Sequence, residues 1–291
     1  NNCRRGVPAT GSAPPAKPDG KAAQPLLLDT MTRIVFLIPY FGRWPFWMPL
    51  FVESCRQNPD IDWILYSDCG PLENCPANIR IEAISFDDYC ARVKQKLGIA
   101  FSPQSPYKLC DLKPAYGVLH EEDIAGYDFW AFGDIDLVYG QLRDYFTEAR
   151  LGCYDFFSTH ERRVSGHLCL IRNDTRWNRL FKEVPGWAAA FARPQHEAFD
   201  ERAFTRLFIR HKNWPRLLRN LADRTNPRRR RAEFVEAFST PNGAIPWIDG
   251  RKVFPSNWYW NSGVLTNDLD GARTFPYLHF IGFKGLWQSP A

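Results

Sequence analysis

No run of about 18 or more apolar residues occurs in the chain, so no segment reads as a transmembrane helix. An N-terminal signal-peptide apolar core is missing too, and the expectation is a cytoplasmic protein with at most peripheral contact at the inner face of a membrane. Cys-x-x-Cys spacing is absent among the eight cysteines, which excludes the common zinc and redox motifs. Several cysteines sit in apolar stretches, as in Leu168-Cys169-Leu170, and read as reduced, buried side chains rather than a disulfide framework. A large excess of one charge sign is lacking: 37 Lys and Arg face 32 Asp and Glu, and the net charge of +5 is too small to imply nucleic acid. It suits an anionic ligand such as a diphosphate, or an anionic membrane surface. No internal repeat is visible.

What is present is an ordinary globular composition, 45% hydrophobic and 24% charged over 291 residues. Aromatics reach 15%, a bias that fits both sugar stacking and a core rich in rings. Residues 1–30 are rich in Pro, Ala, Gly and Lys and read as a disordered tail, or as sequence upstream of a start at Met31. Residues 31–291 read as one domain. Arg33–Pro39 is a continuous apolar run ended by proline, the pattern of a strand buried on both faces. A helix over Phe46–Asn58, strands over Asp62–Asp68 and Ile79–Ile84, and a helix over Phe86–Lys96 follow. This alternation predicts an α/β sandwich with a mainly parallel sheet. Lys113–His120 reads as a helix with Pro114 in its first turn. Tyr127–Phe132, Tyr154–Ser158 and Gly166–Ile171 read as strands, Thr175 to about Arg231 as mostly helical, and Val253–Trp287 as short strands and loops.

The chemistry begins at Phe-Gly-Asp134-Ile-Asp136. Two carboxylates in an Asp-x-Asp pair after a buried strand can hold a hard divalent cation, Mn2+ or Mg2+. Ile135 between them is expected to face the core. The alternative, a solvated acidic turn, is disfavoured by the apolar residues on both sides. Ligands of open α/β sheets gather at the carboxyl ends of strands, where this pair sits. At the other end of the chain, Tyr277-Leu-His-Phe-Ile-Gly-Phe-Lys284 offers His279 as a third metal ligand, Gly282 for close backbone approach to a phosphate, and Lys284 as a positive charge.

Together these motifs resemble the GT-A fold glycosyltransferases, and most nearly a divergent relative of glycosyltransferase family 8, which includes glycogenin and bacterial lipopolysaccharide and capsular sugar transferases. The resemblance implies a Rossmann-like α/β/α sandwich with a C-terminal helical and loop extension. It also implies metal ligation by Asp134, Asp136 and His279, and contact of Asp134, Gly282 and Lys284 with a nucleotide-sugar diphosphate. One departure is visible: a single residue, Phe283, separates Gly282 from Lys284, where the family has two. On the same template Pro39 and Tyr40 meet the base and ribose, Asp68 joins the donor site, and Lys113, preferred over Lys108, contacts the donor. Gly166–Asn173 crosses beneath the acceptor. Asp200 and Glu201, read as a helix's first turn, lie by the reacting sugar carbon.

The implied activity is transfer of a sugar from a nucleotide-diphosphate donor, with UDP expected, to a cell-surface polysaccharide or lipid-linked oligosaccharide, with anomeric retention if the kinship holds. A metal-dependent phosphatase or nucleotidyltransferase is one alternative; it needs further acidic ligands, for which Asp144 and Asp155 are the candidates. A non-catalytic carbohydrate-binding protein is another. The basic segment Arg216–Arg231, above all Arg228–Arg231, reads either as a solvated face or as a contact for anionic lipid.

Overall fold

The computed structural model describes residues 31–209, 214–241 and 245–281. The expected tail over residues 1–30, and Gly282, Lys284 and Trp287, lie outside the described residues. The strands are β1 (Ile34–Pro39), β2 (Ile61–Ser67), β3 (Ile79–Ala83), β4 (Phe129–Gly133), β5 (Leu137–Tyr139), β6 (Phe156–Ser158), β7 (Leu168–Arg172), β8 (Ala232–Phe234), β9 (Trp258–Asn261), β10 (Val264–Asn267) and β11 (Tyr277–His279).

Seven of them form one sheet in the order β3-β2-β1-β4-β7-β6-β8. β4 lies at its centre, and β1 beside it is parallel to β4 on one side and to β2 on the other. Only the β4–β7 and β7–β6 pairs are antiparallel, so the sheet is mainly parallel, as the alternation of elements predicts. Side chains of a strand alternate between faces, and β1 shows what this does to the core. Val35 and Leu37 enter one apolar layer with Tyr89, Val93, Leu109 and Leu112. Ile34, Phe36 and Ile38 enter the opposite layer with Phe51, Val52 and Cys55. Helices therefore cover both faces, α1 (Met48–Arg56) on one and α2 (Phe86–Leu97) on the other. α2 starts at Ser85, whose hydroxyl accepts the Asp88 N–H at 3.1 Å, and stops at Gly98 in the left-handed region at φ +66°. The result is the α/β sandwich expected from the sequence.

Two expectations need correction. Pro114 does not open a helix; it closes a 3-10 helix, Pro106–Ala115, and a short α-helix, Tyr116–Leu119, follows. A 3-10 turn eclipses residues i and i+3, which sets Lys108 beside Asp111 with Nζ 2.8 Å from the carboxylate. The described residues from Thr175 to Arg231 are mostly helical as expected, in separate helices of four to ten residues, with Trp177, Phe204 and Phe208 packed around Phe156. Asp200 and Glu201 stand in a turn ahead of the 3-10 helix Phe204–Leu207 rather than in a helix's first turn, so no helix dipole explains them.

Candidate metal and donor site

β4 is buried over its whole length and ends at Gly133. Asp134 is thereby delivered at the carboxyl edge of the sheet, next to the end of β1 at Pro39, and its N–H is held by the His167 carbonyl at 3.1 Å. Ile135 turns into the core as expected. The Trp47 indole donates to the Ile135 carbonyl at 3.1 Å and fixes the turn. Asp136 follows, buried, and leads into β5.

β5 has only three residues, and its partner β11 comes from the far end of the chain. The antiparallel register sets Leu137 opposite His279, one residue from Asp136. Behind this pair a separate apolar cluster of Val138, Trp247, Leu265, Phe275, Leu278 and Phe280 supplies the burial that two short strands lack on their own. Nε2 of His279 consequently lies 3.3 Å from Oδ2 of Asp136. One ligand atom from each of Asp134, Asp136 and His279 falls within 4.8 Å of the others.

This donor set fits a hard divalent cation. Two carboxylates and an imidazole are within the chemistry such ions accept, and the spacing is that of atoms sharing one coordination sphere. His279 supplies the most telling atom. Its Nδ1 lies 3.2 Å from the Thr240 hydroxyl, while the buried Nε2 has no hydrogen-bond partner among the described residues. An unsatisfied buried nitrogen facing a carboxylate calls for an explanation, and a shared cation provides one.

A cleft of about 380 Å³ opens over these ligands. Pro39, Tyr40, Lys113, Asp134, Asp136, Asp200, Glu201 and His279 all line it. Lys113 Nζ donates to Asp134 Oδ1 at 2.5 Å and to the Gly166 carbonyl at 2.6 Å. Burial by itself would lower the Lys113 ammonium, but the Asp134 carboxylate in contact with it, helped by Asp200, outweighs this and holds the group protonated above its ordinary range. Burial raises the Tyr40 phenol, with Cys69 and Asp136 adding to the effect, and Tyr40 stacks on Trp44 with ring centroids 5.6 Å apart.

Asp200 is buried, and desolvation raises its carboxyl to about 7 against the opposing pull of Lys113. Glu201 beside it pairs with Arg163 at 3.1 Å. Both acids approach Gly166 closely: a Cβ there would lie 2.7 Å from Glu201 Oε1 and 3.4 Å from Asp200 Oδ2.

Two sequence expectations separate from the site. Lys108 is fully buried and bound to Asp111 and to the carbonyls of Ala190 and Gln195, all within 2.9 Å, so it braces the fold and leaves the cleft to Lys113. Asp68 lies outside the cleft lining, accepting the Gly42 N–H at 2.7 Å and shaping the loop that carries Tyr40 and Trp44.

The cleft also holds residues that motif reading did not single out. His167 donates or accepts at 2.7 Å with the Tyr277 hydroxyl, and its ring centroid is 4.3 Å from that of His279. Burial, with the neighbouring His279 and Lys113 adding to it, keeps His167 neutral. Tyr107 and His196 stand edge to face at the rim, 4.6 Å apart. Cys110 lines the wall, but burial pushes its thiol up to about 12, so it is no thiolate nucleophile. Their signal in the sequence is weak, since each is a single residue with no motif around it.

The family model described as a family of unknown function (DUF6625) matches residues 36–285. The chain belongs to DUF6625. No curated protein matches its sequence. Among solved structures, mouse xyloside xylosyltransferase 1 in its apo form is similar at 11% identity and a TM-score of 0.43, covering 72% of this DUF6625 chain and 87% of its own. The galactosyltransferase LgtC, in complex with donor and acceptor sugar analogues, is similar at 14% identity and a TM-score of 0.35, covering 59% and 72%. Apo GlyE, a glycosyltransferase of Streptococcus pneumoniae TIGR4, is similar at 12% identity and a TM-score of 0.35, covering 62% of this chain and 44% of its own.

Proposed function

We propose that this protein is a metal-dependent GT-A glycosyltransferase that takes a sugar from a nucleotide-diphosphate donor, with UDP as the expected nucleotide. The convergence of Asp134, Asp136 and His279 in one cleft at the carboxyl edge of β1 and β4 is the observation that carries the reading. Mn2+ or Mg2+ held by these three residues supplies the charge that a diphosphate leaving group requires.

The remaining residues act around that centre. Pro39 and Tyr40, at the end of β1, meet the nucleoside, with the Tyr40–Trp44 stack as an aromatic wall. Lys113 orients Asp134 and brings a fixed positive charge against the donor phosphates. Gly282 and Lys284, outside the described residues, are assigned to the same phosphates by the family resemblance. Asp200, which holds its proton up to near neutrality, can both donate to and accept from a hydroxyl of the transferred sugar, and Glu201 orients beside it. Retention of anomeric configuration, and an acceptor of the polysaccharide or lipid-linked oligosaccharide type, follow from the same resemblance.

A phosphatase or nucleotidyltransferase would need more carboxylates at the centre. Asp155 is held instead by Arg172 and Arg231, each at 2.6 Å, and Asp144 lines a separate depression beside Gln141 and Gly263.

Asp136→Asn keeps the shape of a buried side chain and removes its charge. It is expected to cut donor hydrolysis by at least about a hundredfold, as loss of a charge-stabilising group does, while the circular dichroism spectrum and melting curve stay close to wild type. Undiminished hydrolysis would sink the assignment of the centre.

A further inference from the structure

The helix Arg216–Thr225 carries its leucines on the outside. Leu217 is 84% exposed, Leu221 is 61% exposed and Leu218 about half exposed, with Trp214 also half exposed. Positions 217, 218 and 221 are spaced at intervals of one and three, which places them along one stripe of the helix, while Trp214 precedes it. Such a stripe is normally turned into the core; here it faces outward. Scattered exposed leucines need no explanation, but an aligned set does.

Charge is concentrated in the same segment. Arg216–Arg231 contains seven arginines and one aspartate, a net +6, whereas the whole chain is +5; everything outside these 16 residues sums to −1. The arginines do not all serve the same end. Arg228 pairs with Glu183, and Arg231 clamps Asp155 at 2.6 Å. Arg229 approaches Asp223 at 3.8 Å and donates to the Ala232 carbonyl at 2.7 Å. Arg224 and Arg230 are exposed and form no ion pair among the described residues. The run Arg228–Arg231 is therefore largely engaged within the fold, and the outward apolar stripe with its unengaged arginines is the better candidate for an outside contact.

We propose that the Arg216–Thr225 helix is a docking surface for an anionic lipid bilayer, lying in the headgroup plane with Leu217, Leu218 and Leu221 inserted. The combination selects this occupant. A soluble polyanion would satisfy the arginines and leave the leucines in water. A neutral apolar partner would satisfy the leucines and gain nothing from Arg224 and Arg230, which form no ion pair among the described residues. An interfacial helix uses both, apolar insertion and attraction to anionic headgroups. The surface is separate from the cleft, and the inference stands or falls independently of the sugar-transfer reading.

Co-sedimentation of the full chain with vesicles tests it, comparing phosphatidylcholine alone with mixtures containing phosphatidylglycerol. The wild type is expected to partition at least about tenfold more strongly onto the anionic vesicles, and high salt should weaken that binding. The double substitution Leu217→Asn/Leu221→Asn should lower the partition by about tenfold or more, since two exposed leucines lose their transfer into lipid. Arg224→Gln/Arg230→Gln should lower it on anionic vesicles only. These positions are exposed, so far-ultraviolet circular dichroism should be unchanged and a folding defect is readily distinguished. Equal binding to neutral and anionic vesicles, or undiminished binding by the leucine variant, overturns the proposal. So does a wild-type dimer in sedimentation equilibrium that the leucine variant converts to monomer, because a second copy would then cover the stripe.

Discussion

Asp200 shows at the scale of one residue what this cleft costs. A carboxyl that folding moves from an ordinary 3.8 up to about 7 destabilises the fold when it ionises. Its folded value lies above its unfolded one, so its contribution is fully present below about pH 4 and is lost as pH rises through about 7. The loss is on the order of 4 kcal/mol at most. Asp200→Asn removes the ionisation. Melting of the metal-free protein across pH 4 to 8 should therefore show a flatter profile for the variant and a melting temperature several degrees higher near pH 8, together with reduced transfer. A variant less stable than wild type at pH 8 would mean that the carboxylate is stabilised, contrary to the burial argument. The sequence pointed to Asp200 through resemblance but set it in a helix's first turn; only packing reveals the burial that sets its protonation. Lys113 and Lys108 differ in the same way. Both open on the same stretch of sequence, and the 3-10 turn decides which reaches Asp134 and which reaches Asp111.

At the scale of elements, the long apolar strands were legible, as was the short β6 within Tyr154–Ser158, whereas β5 and β8 were not. β1, β2 and β4 each bury both faces and show it as continuous apolar runs. β5 and β8 are too short to carry a period, and β5 exists because β11 pairs with it from 138 residues away at the Tyr139–Tyr277 position. That pairing is nonetheless what brings His279 to Asp136. The Lys108–Asp111 pair does comparable work for the opposite wall. Asp111 accepts the N–H groups of Glu197 and Phe199 at 2.9 Å, and Lys108 holds the Gln195 carbonyl, so together they pin the loop that leads to Asp200. Asp111→Asn leaves a buried ammonium without its counter-charge, a loss of about 3–5 kcal/mol. Melting should fall by roughly 10 °C, and Lys108→Met added to it should recover part of the loss. If Asp111→Asn melts like wild type, the pair is not the brace described here.

For the whole molecule, the α/β sandwich with helices on both faces follows from the alternation of apolar runs and amphipathic stretches along the chain. The site follows from where that sandwich ends its strands. Everything about the donor rests on the claim that Asp134, Asp136 and His279 share one cation and that the cleft above them takes a nucleoside diphosphate. Isothermal titration of UDP into the protein, with Mn2+ present and after its removal by a chelator, tests this most directly. The expected result is saturable binding with Mn2+, at least about tenfold weaker binding without it, and loss of the difference in His279→Ala. Binding of UDP that is indifferent to the metal, or none in either condition, would contradict the account.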